Sequence, residues 1–230
     1  MLIKSKVFYK QPGLMVYQDA LKLQQELREK IYAQRTMQIQ RENTILFCEH
    51  PAVISFGSSA TENDLLIDLD GLCCHKLDVV RTRRGGQITL HNPGQLVVYP
   101  VLDLNDFKTD IRWFIGSLAE VVVLTLDQLG LESFYDAEYP GVWVKGKDGN
   151  CSRKICAIGI HLSRWISNHG FALNINNDLR PYKYFIPCGI SSEDRGITSI
   201  VEELGKPISV AEVSVLLRSN FERVFDCELV

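Results

Sequence analysis

The sequence predicts an α+β fold, a mixed β-sheet with flanking helices packed on its covered side. Three segments repeat apolar residues at helical spacing. Six short runs are rich in branched and aromatic residues between turn formers. Strands precede helices without the strict alternation of a βαβ chain, which points to α+β rather than α/β. No repeat, low-complexity tract, linker or shift in composition divides the chain, so one domain over residues 1–230 is expected.

Val16, Ala20, Leu23, Leu27 and Ile31 recur with Lys and Glu between them and predict a first helix. Strands are expected over 44–47 and 53–56, with His50-Pro51 ending the first and fixing a turn. A third strand spans 95–101. Asp110 then caps a second helix, in which Ile111, Phe114, Ile115, Leu118, Val122, Leu126 and Leu129 form the stripe. Further strands cover 141–144, 155–162 and 170–175. Pro207 and Ser209 open the last helix, Glu212 completes a capping box, and Val213, Leu216, Leu217, Phe221, Val224 and Phe225 face inward.

Hydrophobic residues make up 46% and charged residues 23% of 230 positions, the balance of a globular chain able to bury a full core. The formal charge of -3 gives no global attraction to nucleic acid. No apolar stretch approaches the ~18 residues of a membrane span, and the first residues lack a signal or transit pattern, so a cytoplasmic location is expected. Seven cysteines, an odd number, read as free thiols. Cys73, Cys74 and His75 lack the two-to-four-residue gap of a zinc knuckle, and no metal is expected.

Three segments carry candidate chemistry. In Ile186-Pro187-Cys188-Gly189-Ile190, proline fixes the backbone before a thiol and glycine permits a sharp turn after it. That presents either a nucleophile or a thiol buried beside a turn. Lys154 opens an apolar strand, where it is either a solvated strand-end lysine or a group able to exchange protons with a nearby thiol. The run Arg81-Thr82-Arg83-Arg84-Gly85-Gly86-Gln87-Ile88-Thr89-Leu90-His91 offers arginines and a backbone that admits close approach, or simply a solvated turn. It is neither a phosphate loop nor a dinucleotide fingerprint. His91 and His169 read as hydrogen-bonded structural histidines, and Ser163 and Ser167 lack a hydrolase elbow.

Taken in order, the motifs resemble the lipoyl(octanoyl) transferase family, also called lipoate–protein ligase B, from about Tyr17 to Ile200. They are Glu49-His50-Pro51 with Gly57; Arg84 to His91 with Pro93-Gly94-Gln95; Pro140-Gly141-Val142-Trp143; Lys154 with Ala157-Ile158-Gly159; His169-Gly170-Phe171-Ala172-Leu173-Asn174; Pro187-Cys188-Gly189-Ile190; and Gly196-Ile197-Thr198-Ser199. The resemblance implies the catalytic-domain fold of biotin and lipoate protein ligases and an acyl thioester on Cys188, with Lys154 as its acid–base partner. It implies substrate contacts from Arg84, Gly85, Gly86, Gln87, Ile88, Thr89, Leu90 and His91, from Ala157, Ile158 and Gly159, and from Gly170, Phe171 and Ala172. The implied donor is octanoyl-acyl carrier protein. The acceptor is a lysine on lipoyl domains of 2-oxoacid dehydrogenase E2 subunits or the glycine-cleavage H protein, with no ATP, metal, nucleic acid or membrane.

Asn92 and Leu90 depart from the family's usual glycine and tyrosine, and the polar stretch 145–153 suggests a longer hairpin. Arg81, Arg83, Arg84, Lys145, Lys147 and Arg153 are expected to form a basic rim for an acidic carrier. Two rivals remain on sequence. An ATP-dependent lipoate or biotin ligase would form an adenylate and no covalent enzyme. A non-catalytic carrier-binding module would need neither Cys188 nor Lys154.

Overall fold

The computed structural model describes residues 4–146, 151–187 and 195–230. In chain order the first elements are β1 (Ser5–Leu14), α1 (Tyr17–Thr36), β2 (Thr44–Glu49), β3 (Val53–Phe56), α2 (Leu69–Cys74), β4 (Asp78–Arg81), β5 (Ile88–His91) and β6 (Gln95–Val101). There follow α3 (Ile111–Gln128), β7 (Ser133–Asp136), β8 (Gly141–Lys145), β9 (Ser152–Ser163), β10 (Ile166–Asn174), β11 (Arg195–Ile197), α4 (Ile200–Leu204), α5 (Val210–Phe225) and β12 (Cys227–Leu229).

Among the described residues these strands form two sheets. The larger runs β12-β1-β2-β6-β10-β9-β8-β7, with β11 also on β9; the smaller is β4-β3-β5. The larger sheet is mixed: β1 lies parallel to β12 and β2, and β11 parallel to β9, while its other pairs are antiparallel.

Helices cover both faces of the large sheet, not one as the pattern suggested. Ile45 and Phe47 of β2, with Leu96 and Val98 of β6, join the core under α3 and α5. Their neighbours Leu46, Cys48, Val97 and Tyr99 join Ala20, Leu27 and Ile31 of α1 on the other side. A strand that is apolar at every position gains by covering both faces. Each fully buried aliphatic or aromatic side chain contributes about 1.5–3 kcal/mol. A third cluster lies beneath the small sheet, where Ile54, Phe56, Ile88 and Leu90 meet Leu72 of α2 and Phe185.

The helix ends follow the sequence signals. The Asp110 carboxylate accepts from the N–H groups of Arg112 and Trp113, and Ser209 and Glu212 close a capping box. The first helix extends past its apolar period to Thr36. Its last turn is held by Gln34, which accepts from the Glu42 N–H and donates to the Glu42 carboxylate. Among the described residues no helix is long and apolar enough to cross a membrane.

Candidate active site

A cavity of about 500 Å³ lies between the large sheet and the small one. Its floor is made by residues with little or no side chain. Ala172 of β10 stands between Val97 of β6 and Ala157 of β9, and Gly170 stands beside Gly159. Small side chains facing one way on adjacent strands leave room that branched residues would fill. Thr89 and His91 of β5 form the opposite wall; Gln87 and the turn Arg84-Gly85-Gly86 continue it. Ile158 and Phe171, which face α3, also border the cavity, together with Ile111 and Ile115 of that helix.

Strand alternation separates two of the expected contacts from the rest. Ile88 and Leu90 do not line the cavity; they point the other way into the third core cluster, fully buried. Alternate residues of a strand serve opposite faces, so only Thr89 and His91 of that run reach the cavity.

Arg84 is also not a free cation awaiting a ligand. It is buried, and its guanidinium donates to the Ser55 hydroxyl and to the carbonyls of Ser55, Gly85 and Gln87. It therefore holds the glycine turn in shape. The turn is fastened to its surroundings by Gly57 N–H to Gln87 O at 3.0 Å, Ser58 N–H to Arg84 O at 2.8 Å and Gly85 N–H to Ile160 O at 2.9 Å. A Cβ on Gly57 would run into the Gly86 carbonyl, which explains glycine at that position.

From Arg84 a hydrogen-bonded chain crosses the molecule behind the cavity. The Ser55 hydroxyl lies 3.0 Å from His91 Nε2, and His91 Nδ1–H donates to Gln95 Oε1 at 2.9 Å. Gln95 donates to Asn174 Oδ1, and Asn174 donates to the Thr198 carbonyl. Three of the recognised motifs are thereby joined by contact. Burial holds His91 well below the usual imidazole range, so the ring is neutral and can accept at Nε2. His50 is likewise depressed by burial; it donates to the Met15 carbonyl and accepts from the Tyr99 hydroxyl.

His169 differs from both. Its Nδ1 is buried without a hydrogen-bond partner among the described residues, it lines the cavity, and its φ is +60°. Burial, and after it the Arg84 charge, push it down to about 3.

Lys154 lines the cavity and is only 4% exposed, so it is not a solvated strand-end lysine. A β-bulge aims it there. On β8, Val142 faces Cys156 and Trp143 faces Lys154, so Ile155 is an extra residue in β9. In a regular ladder that kept Ile155, alternation would place Lys154 and Ala157 on opposite faces; with the bulge, both border the cavity. The Lys154 ammonium donates to the Pro140 carbonyl at 3.4 Å and lies 4.8 Å from the centre of the Trp143 ring.

Cys188 lies outside the described residues. The chain before it is tied down by the Ile186 N–H to Asp64 O bond, and the chain after it returns as β11, pairing Ile197 with Lys154. Three of the other thiols are buried. Burial pushes Cys48 up to about 12, Cys227 up to about 12, and Cys156 further still. Cys156 sits two residues from Lys154 but belongs to the core under α3 and α5, so it is no substitute nucleophile. Cys73 and Cys74 are exposed, and His75 stacks on Tyr184 at 4.5 Å.

The expected basic rim is largely paired off. Arg81 meets Glu62, Lys145 meets Glu132, and Arg153 makes two bonds to Glu203. Arg83 is exposed, and Lys147 lies outside the described residues.

Comparison with known proteins agrees with the fold and the motifs. A family model described as the lipoyl protein ligase A/B catalytic domain matches residues 16–222. The octanoyltransferase of Myxococcus xanthus is 35% identical over 218 residues, covering 95% of this chain and 59% of that protein. The octanoyltransferase of Christiangramia forsetii is 42% identical over 193 residues, covering 84% of this chain and 81% of that protein. The solved structure of lipoate-protein ligase A bound with ATP matches with a TM-score of 0.70 over 99% of this chain and 88% of that one; at 16% identity, the likeness is one of fold. A mixed sheet, a cavity between the two sheets and a family match across most of the sequence lead to one assignment: the chain belongs to the lipoyl protein ligase A/B catalytic-domain family.

Proposed function

We propose that this chain is an octanoyltransferase that accepts an octanoyl group from octanoyl-acyl carrier protein as a thioester on Cys188 and passes it to a lysine of a lipoyl domain. The acceptors are E2 subunits of 2-oxoacid dehydrogenases and the glycine-cleavage H protein, and the setting is cytoplasmic. The observation that carries this reading is Lys154, buried in the wall of a cavity with a small-residue floor, beside the strand that follows the Pro-Cys-Gly segment. A thiol needs a base, because the thiolate is the nucleophile.

In the first half-reaction, Lys154 as a free amine takes the Cys188 proton, and the sulfur attacks the thioester carbonyl carbon. The tetrahedral intermediate expels the pantetheine sulfur, which receives that proton from Lys154. In the second, the acceptor amine attacks the enzyme thioester, its proton passes to Lys154, and then on to the departing Cys188 sulfur. No phosphate is transferred, because the thioester is already activated, and neither ATP nor a metal is required. Backbone N–H groups near the glycine turns stabilise the oxyanion. Each buried methylene contributes about 0.8 kcal/mol, so a donor shorter by two carbons binds only about fifteenfold more weakly.

The test is intact mass after incubation with octanoyl-acyl carrier protein and no ATP. The expected result is a hydroxylamine-labile octanoyl adduct on the wild type and none on Cys188→Ala. Near-normal turnover by Cys188→Ala would rule out the covalent route, and product formed only with ATP would restore the ligase reading.

A further inference from the structure

Among the described residues that line the cavity, Glu138 is the sole carboxylate. Its side chain is exposed and makes no ion pair with any described residue, yet the turn that carries it is fixed. The Asp136 carboxylate accepts from the N–H groups of Glu138 and Tyr139 at 2.9 and 3.2 Å. Trp143 Nε1–H donates to the Tyr139 carbonyl, and Lys154 donates to the carbonyl of Pro140, two residues after Glu138. Arg195 closes the clamp, paired with Asp136 at 2.8 Å and stacked 4.1 Å over the Tyr139 ring. An exposed carboxylate is thus set on a braced turn that borders the same cavity as Lys154.

The two substrates differ in charge at their reacting ends. A thioester is neutral, whereas a lysine amine arrives largely as an ammonium at neutral pH. That ammonium approaches a cavity whose other fixed charge, on Arg84, is positive, while Lys154 is the free amine that takes the acceptor's proton. We infer that Glu138 is the specificity residue for the acceptor: it receives the incoming lysine ammonium and holds it beside the cavity until the ammonium releases a proton to solvent and the free amine attacks. This rests on the two-step reading above. The carboxylate takes no part in acylation of the enzyme.

The experiment preloads the enzyme with octanoyl from octanoyl-pantetheine and follows its discharge, either to an unmodified lipoyl domain or to neutral hydroxylamine. Glu138→Gln is expected to weaken apparent affinity for the lipoyl domain roughly two- to fivefold, the size of an exposed ion pair. Loading and hydroxylamine discharge should stay at wild-type rates. In Glu138→Lys the salt dependence should invert, with added salt helping transfer to the lipoyl domain instead of hindering it. Glu120→Lys, on an exposed position of α3, makes the same change in net charge and should leave the dependence as in the wild type. Unaltered lipoyl-domain kinetics and salt dependence in both Glu138 variants would overturn the assignment. So would equal losses with hydroxylamine, which would make Glu138 a structural member of the turn. If the wild type forms no adduct at all, the covalent reading fails and this assignment fails with it.

Discussion

Arginine in place of Lys154 keeps a positive charge beside the Trp143 ring but cannot release a proton at working pH. Lys154→Arg should therefore keep iodoacetamide alkylation of Cys188 comparatively fast, while octanoyl transfer falls by about a hundred- to ten-thousandfold. Lys154→Met should slow both. Transfer near the wild-type rate in Lys154→Arg would leave Lys154 an electrostatic neighbour and require another base. In sequence this residue reads as either partly buried on an apolar strand or solvated at its end, and nothing there decides between the two. It is covered because β8 and a strand more than forty residues later both pair beside it, a long-range event that no local pattern announces. Arg84 shows the same limit: a sequence displays the charge but not its direction, and here the guanidinium turns inward to backbone carbonyls. The exclusion of Ile88 and Leu90 was within reach, since Ile-Thr-Leu-His alternates with the period of a strand.

Ile155 is one residue, but its effect belongs to the whole of β9. Inserting one residue between Val142 and Trp143 would give Ile155 a partner, restore strict alternation and turn the segment before it over, carrying Lys154 away from the cavity. The expected outcome is loss of octanoyl transfer with the large sheet retained, read by activity together with circular dichroism and thermal melting. Retained activity would show that the bulge does not aim the lysine. The long helices α1, α3 and α5 were legible because apolar spacing and caps are local; α2 and α4, six and five residues long, were not. The six expected strands were legible too, although β9 starts at Ser152 and β10 at Ile166, both earlier than expected. The missing elements had weaker signatures. β1 carries lysines, glutamine and glycine among its apolar residues, and β4, β7, β11 and β12 are four residues long or shorter. The second covering layer had a signal that went unused, the unbroken apolar runs of β2 and β6.

For the molecule as a whole, three buried neutral histidines set an acid limit. His50, His91 and His169 are all depressed in the folded state, while unfolded histidine titrates near 6.5. Below that value the unfolded chain binds protons that the folded chain refuses, so stability present at neutral pH is lost as pH falls. For His169 the loss continues until its folded value of about 3 is reached. Well below pH 6.5, each strongly depressed histidine approaches a cost of about 1.4 kcal/mol per pH unit. The urea midpoint should therefore drop clearly between pH 7.5 and 5.5, and His169→Asn should flatten that slope; a midpoint independent of pH would contradict it. The order of the large sheet bears on how the chain is made. Ser5 to Val7 pair with Cys227 to Leu229, so the outer partner of β1 is synthesised more than two hundred residues after β1 itself. At ordinary translation rates that interval is on the order of ten to forty seconds. An open strand edge invites a neighbouring chain to add to it. Lys6 and Lys10 sit along this one, so β1 carries charges that repel such a guest on the ribosome during the wait for its own partner.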